Sequence, residues 1–258
     1  MDKLLVTREN GVTRITFNTP ERRNAVDPEM VEYLQHLVFE TARDNTRVLI
    51  LAGAGDAFCA GADVKGMLSR GRSFDVTEHL RRHTNPTLVA LREMPKPVIA
   101  AVHGPAVGIG CNYAMAADLR IATTAARFGQ VFSKIGLIPD GGSTYMLPRL
   151  VGYPKAFELM VTGDLVDAEQ ALALGMVHQV VAPDQLDAVV REWAARLAAG
   201  PALAIAGIKR ALIYGETHTL AESLDYEAVT QGECARSDDF REGITAFVEK
   251  RRPVFRGS

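Results

Sequence analysis

Two short apolar runs constrain this chain more than any other feature. Val48–Gly53 (VLILAG) and residues 97–104 (PVIAAVHG) are each too brief for a helix of their own and end in glycine. A segment that is apolar at successive positions is buried on both faces, as the strands of a parallel sheet are. Each run passes into small residues, GAGDAFCAGAD after the first and GPAVGIGCN after the second, and each loop leads into a helical pattern. Small residues between a buried strand and a helix let the backbone approach a ligand closely and leave unpaired N–H groups aimed at it. Such loops suit an anion or an oxyanion, although either one alone is equally compatible with a plain tight turn.

The rest of the chain fits an α/β domain. LLVTREN and GVTRITFN flank Asn10-Gly11, a dipeptide that predicts a β-hairpin. Asp27-Pro28 predicts a helix start, followed by Met30, Leu34, Leu37 and Thr41 at helical spacing over about four turns. LRIATTAARFG reads as strand and turn, and AEQALALGMVHQVV as a helix capped at Gly175 with a strand behind it. Alternating strands and helices define the class. Strand signals stop after about residue 195, and helical patterns run from Leu203 to Lys250. The expected organisation is a core over 1–195 and a helical region over 196–258.

Composition narrows the partners. The 29 basic and 31 acidic residues nearly cancel and form no long run of one sign, which speaks against nucleic acid and anionic membrane surfaces. The opening MDKLLVTREN has no apolar stretch behind a basic start, and no segment reaches the roughly 18 apolar residues of a membrane helix. A cytoplasmic location is expected. Cys59, Cys111 and Cys234 are too few and scattered for a disulfide framework or a zinc site, and buried free thiols are expected. Gly108-Ile109-Gly110 lacks the third glycine of a dinucleotide fingerprint, where Tyr113 stands instead, and no P-loop is present.

The strings FCAGADVKGM (58–67), GPAVGIGCNYAMAADLRIATTAARFGQ (104–130) and IGLIPDGGSTYMLPRLVG (135–152) resemble the signature segments of the crotonase superfamily, the enoyl-CoA hydratase/isomerase family. ERRNAV near the start and EGITAFVEKRRPVF at the end extend the likeness along nearly the whole chain. The resemblance implies a spiral of ββα turns with a C-terminal helical trimerisation region, assembled as a homotrimer or homohexamer. It implies an acyl-CoA substrate, with coenzyme A as part of that substrate and no other cofactor or metal. It matches the backbone N–H groups of Ala62 and Ile109 to an oxyanion hole holding the thioester oxygen. Ala60, Ala62, Asp63 and Val64 match the stretch that wraps coenzyme A, with Asp63 also suited to capping a helix. Arg22 or Arg23 are candidates for the CoA phosphates, and Phe247 and Lys250 sit where the family places contacts from a neighbouring chain.

The sequence departs from a hydratase. Hydration activates water on one carbon and delivers a proton to the next, which the family's hydratases do with two glutamates. Asn112 and Phe132 stand at those positions, and neither an amide nor a phenyl ring exchanges protons at neutral pH. Asp140, in IPDGGST, is the replacement acid/base that the resemblance to family isomerases suggests; Pro-Asp-Gly is equally good turn chemistry. A single carboxylate suffices to move a double bond in an enoyl-CoA or dienoyl-CoA. Hydration, another crotonase-type reaction such as thioester hydrolysis or dehalogenation, and a non-catalytic CoA-ester-binding protein are the alternatives. Asn112 and Tyr145 are expected to line the pocket, and the stretch from Ser69 to Leu91 its floor. His79 and His83 have a metal-compatible spacing, but HLRRH lacks the glutamate of HExxH and offers no third ligand, so a solvated helix face is expected. GGST does not complete GxSxG. Cys111 is expected to be structural and His103 a hydrogen-bonded residue at a strand end.

Overall fold

Asn10 and Gly11 adopt left-handed φ values of 52° and 75°, the conformation a two-residue hairpin requires and glycine accepts without penalty. They join β1 (Leu4–Glu9) to β2 (Val12–Phe17) with Glu9 opposite Val12. The structure is a computed structural model that describes residues 3–66 and 74–257. From β2 onward the main sheet is parallel, adding β3 (Val48–Gly53), β4 (Val98–Val102), then the strands Leu119–Thr123 and Gln179–Val181.

Both apolar runs are buried on two sides. Leu49 and Leu51 of β3, with Val98, Ala100 and Val102 of β4, face the main core with Ile15 and Phe17. The alternate residues Val48, Ile50, Ala52, Ile99 and Ala101 face a second core closed by Leu186, Val190 and Ala194. Period-two alternation with apolar residues at both phases needs a cover on each face.

A second, three-stranded sheet contains β5 (Pro105–Val107), β7 (Arg127–Gly129) and β8 (Leu165–Asp167), with β6 (Leu119–Thr123) in the main sheet between the first two and β9 (Gln179–Val181) after the third. Each winding therefore gives one strand to the main sheet and one to the small sheet before a helix: β4 and β5 precede Ile109–Ala116, and β6 and β7 precede Ser143–Val151. After β3 the same step is reduced to one residue, Cys59, bridged to Ala106. The result is a spiral of β-β-α turns. The second glycine loop thus contains a strand, β5, that its composition disguised, because Gly and Pro weaken any strand signal.

Helix α1 (Pro28–Arg43) starts where expected: Asp27 accepts the Met30 amide at 2.9 Å, and Met30, Leu34, Leu37 and Thr41 are buried. The chain from 76 onward forms α2 (Val76–His79), a wider π-type turn (Leu80–Thr84) and α3 (Asn85–Glu93). Helix α4 (Ile109–Ala116) is buried at every residue, which suits its Gly, Cys and Ala content. Helices α5 (Ser143–Val151), α6 (Tyr153–Thr162) and α7 (Ala168–Ala173) follow, and Gly175 beyond α7 takes φ 74°.

Helix α8 (Leu186–Ala198) covers the outer face of the main sheet, and residue 195 falls within it. Beyond it come α9 (Ala202–Gly215), α10 (Leu220–Ala235) and α11 (Asp238–Glu249). Among the described residues no single helix is long and apolar enough to cross a membrane. Cys59 and Cys111 are fully buried free thiols that burial pushes up to about 12, whereas Cys234 is half-buried.

Candidate active site

The two glycine loops lock together through their backbones. Cys59 N–H donates to Pro105 O at 3.1 Å, and Val107 N–H donates back to Cys59 O at 3.0 Å. A β-carbon at Gly110 would stand 2.1 Å from Cys59 O, so only glycine permits this approach. Gly61 (φ 105°) and Gly108 (φ 56°) take left-handed conformations where the loops touch, each opposite the other's Cα. The residues that follow them are Ala62 and Ile109. Among the described residues neither amide N–H has an acceptor. Ile109 opens α4, and the first N–H groups of a helix have no partner inside it.

Beside these amides lies a cavity of about 160 Å³. Ala60, Ala62, Val64, Ile109, Phe132 and Asp140 all border it, so six of the residues singled out from sequence converge on one apolar space. The wall also includes Val26 and the start of α1 (Pro28, Val31), Phe74, Val76, His79, Leu80 and Thr84, and Ile135 and Leu137. Of the expected floor, Phe74, Val76, His79, Leu80 and Thr84 border the cavity, whereas residues 85–91 do not, and Ser69 to Ser73 lie outside the described residues. The contribution of α1 had no sequence signal beyond helical periodicity. A larger concavity of about 660 Å³, lined by Arg92, Asp118, Lys209 and Glu216 among others, contains none of the expected site residues.

Two carboxylates border the cavity among the described residues, and they differ sharply. Asp27 caps α1 and bonds Lys3 Nζ at 2.7 Å. Burial works to raise its pKa, but the hydrogen bonds from Lys3 and the Met30 amide outweigh that and hold it below the usual carboxylate value. Asp140 has no such partners: its Oδ1 is buried and unbonded, and desolvation pushes its pKa up to about 6. The turn at Pro139-Asp140-Gly141 is made by its backbone instead, with Asp140 O accepting the Ser143 N–H at 3.1 Å and the Ser143 hydroxyl at 2.9 Å. Turn formation therefore leaves the carboxylate free for chemistry.

Asn112 does not line the cavity. It is fully buried, its Nδ2 donating to Asp140 O at 2.8 Å and its Oδ1 accepting from Gln130 Nε2 at 2.8 Å. An amide can donate and accept at once, so it ties the Asp140 turn to the core, a task the sequence could not specify without the fold. Tyr145 is also off the wall, bonded to Glu216 at 2.8 Å with the Arg149 guanidinium stacked on its ring at 3.5 Å. Phe132 does face the cavity, 8% exposed, with its ring beside Gly108.

The candidate CoA residues separate in the same way. Arg22 is held by Asp63 at 2.8 Å and lies 3.6 Å from Asp27, so its charge is already matched. Asp63 also accepts the Gly66 N–H at 3.0 Å, the bond of a helix cap. Arg23 is mostly exposed, and among the described residues its one ion pair is with Asp56 at 3.9 Å. Phe247, 85% exposed, and Lys250 belong to the end of α11 and do not border the cavity within one chain. His103, following β4, bonds Gly55 O at 3.0 Å. His79 and His83 are half-buried rather than solvated, because α1 packs beside them.

A spiral of β-β-α turns, with two loops converging on an apolar cavity, is the crotonase fold. The chain belongs to the enoyl-CoA hydratase/isomerase family, whose model matches residues 7–258, and is an acyl-CoA enzyme of that type. It is 41% identical to the 1,2-epoxyphenylacetyl-CoA isomerase of Escherichia coli over all of this chain and 99% of that protein. It is 34% identical to the short-chain-enoyl-CoA hydratase of Clostridium acetobutylicum over 98% of this chain and 97% of the other. The crystal structure of enoyl-CoA hydratase from Bacillus anthracis superposes with a TM-score of 0.94 at 33% identity, covering 100% of both chains.

Proposed function

We propose that the protein is a double-bond isomerase of enoyl-CoA or dienoyl-CoA thioesters. The carrying observation is that Asp140 alone, of the two carboxylates bordering the cavity among the described residues, is unpartnered and raised toward neutral pH. Its carboxylate takes a proton from one carbon of the unsaturated acyl chain. The electron pair moves through the conjugated system onto the thioester oxygen, where the Ala62 and Ile109 N–H groups receive it. The proton then returns from the Asp140 carboxyl to another carbon, and the double bond has moved without water. Fixed donors in a water-poor site stabilise such charge by about 3 kcal/mol each. A pKa near 6 suits a group that must both accept and return a proton.

Two features oppose hydration: Asn112 is consumed by the Asp140 turn, and Phe132 places a hydrocarbon ring against the cavity. Coenzyme A enters as part of the substrate, with Arg23 the more available of the two arginines for its phosphates. The reading includes assembly into homotrimers or homohexamers in the cytoplasm, with Phe247 and Lys250 contacting coenzyme A held by a neighbouring chain. Exposed Leu212, Leu220, Phe247 and Val248 on the C-terminal helices support it. Activity on 2-enoyl-, 3-enoyl- and dienoyl-CoA substrates is compared for wild type and Asp140→Asn. Isomerisation by wild type alone, rising through about pH 6 as the base ionises, supports the assignment. Undiminished isomerisation by D140N refutes it.

A further inference from the structure

The His79–His83 pair acquires in the fold the third ligand that the sequence does not provide. Glu32, on the face of α1 beside these histidines, offers a carboxylate oxygen, and the three candidate ligand atoms all lie within 4.8 Å of one another. We propose that Glu32, His79 and His83 bind a divalent transition-metal ion of the zinc type, which clasps the cavity wall to α1. This inference is independent of the isomerase reading.

The geometry around His83 carries the proposal. Its Nε2 stands 3.5 Å from Glu32 Oε1. That is longer than an ordinary N–H···O hydrogen bond, and it is close to the separation of about 3.4 Å between two ligands bound at about 2.0–2.1 Å around a tetrahedral ion. The neighbouring Gln35 sets the tautomer. Gln35 Nε2 donates to Arg82 O at 2.9 Å, which turns its Oε1 toward His83 Nδ1 at 2.9 Å. A carbonyl oxygen only accepts, so Nδ1 carries a proton, and in the neutral ring the Nε2 lone pair faces the Glu32 carboxylate. The positive centre that joins these two groups is either a second proton on the ring or a metal ion, and the 3.5 Å separation fits the ion better. A ligating histidine whose other nitrogen donates to a carbonyl is the arrangement metal sites use to fix a ring.

The surroundings fit the same role. The His79 ring lies 5.4 Å from that of His83, centroid to centroid, at the start of the wider turn. The nearby Arg82 guanidinium is drawn off to Glu78 at 2.9 Å and leaves this carboxylate to the histidines. Two imidazoles and one carboxylate, with a position left for water, suit Zn²⁺ better than Ca²⁺ or Mg²⁺, which prefer oxygen ligands throughout. His79 also borders the cavity, so an ion here would fix one wall of the acyl site without entering the reaction.

The test is Zn²⁺ binding by the intact protein, in competition with a chromophoric chelator, with thermal melting as a second readout. One ion per chain is expected, together with a melting temperature that rises with Zn²⁺ concentration. Gln35→Leu should weaken binding by about 10- to 100-fold, and His83→Gln or Glu32→Gln by more, while His36→Gln on the same helix leaves it unchanged. Circular dichroism identifies variants that remain folded. Failure of folded wild type to bind Zn²⁺, or equal affinity in folded His83→Gln, would overturn the site and leave a simple imidazolium–carboxylate pair.

Discussion

Replacing Asp140 by Asn should stabilise the protein at neutral pH while removing its proposed base. Desolvation raises the carboxyl from the ordinary 3.8 to about 6, and no hydrogen bond or cation offsets it. A native-state pKa above the unfolded value means that the folded protein holds its proton more tightly. The associated stability is fully present below about pH 3.8 and is lost as pH rises through about 6. Undiscounted, the loss between pH 4 and pH 8 is about 2.4 kcal/mol. Asp140 is half-buried rather than fully enclosed, and solvent screening reduces this to about 1–2 kcal/mol. Urea unfolding at both pH values isolates the effect, because the other titrating groups are common to wild type and variant. The D140N protein should gain about 1–2 kcal/mol on wild type in going from pH 4 to pH 8. A difference that stays flat, or favours wild type at pH 8, would refute the claim that this carboxylate is buried without compensation.

Gly110→Ala should cost several kcal/mol and lower the melting temperature sharply, since its new methyl would meet Cys59 O at 2.1 Å in the contact that joins the two loops; a melting temperature near that of wild type would contradict the packing described. Asn112→Ala removes a donor from Asp140 O. It should lower kcat by up to about 100-fold through misplacement of the base, with KM changed little; a rise in KM at constant kcat would instead indicate direct substrate contact. Arg23→Gln should raise KM for CoA thioesters at low salt and less so at high salt. Arg22→Gln should act on stability, by about 1 kcal/mol through its partly buried pairs with Asp63 and Asp27; the reverse pattern in steady-state kinetics would exchange their roles.

How far the sequence reached follows from whether a signal was local. The hairpin at Asn10-Gly11, the Asp27 cap and the two apolar strands are set by backbone chemistry within a few residues, and all formed as expected. Strand β5 was hidden because two of its three residues, Pro105 and Ala106, carry little β propensity, and pairing with β7 decides their conformation. The convergence of Ala62, Ile109, Phe132 and Asp140 on one cavity was accessible through motif order. The roles of Asn112 and Arg22 were not, because hydrogen bonds and ion pairs spanning 28 and 41 residues depend on how the spiral closes. Glu32 was invisible for the same reason, being brought to the histidines by the packing of α1.

The most direct test of the central claim follows the atoms. Purified protein is incubated with a 3-enoyl-CoA in ¹⁸O-labelled water, and the product is analysed for mass and double-bond position. A 2-enoyl-CoA of unchanged oxygen content is expected, formed at a rate that falls with Asp140→Asn. A product carrying an added molecule of labelled water, with no free positional isomer, would contradict that expectation and make the protein a hydratase despite Asn112 and Phe132.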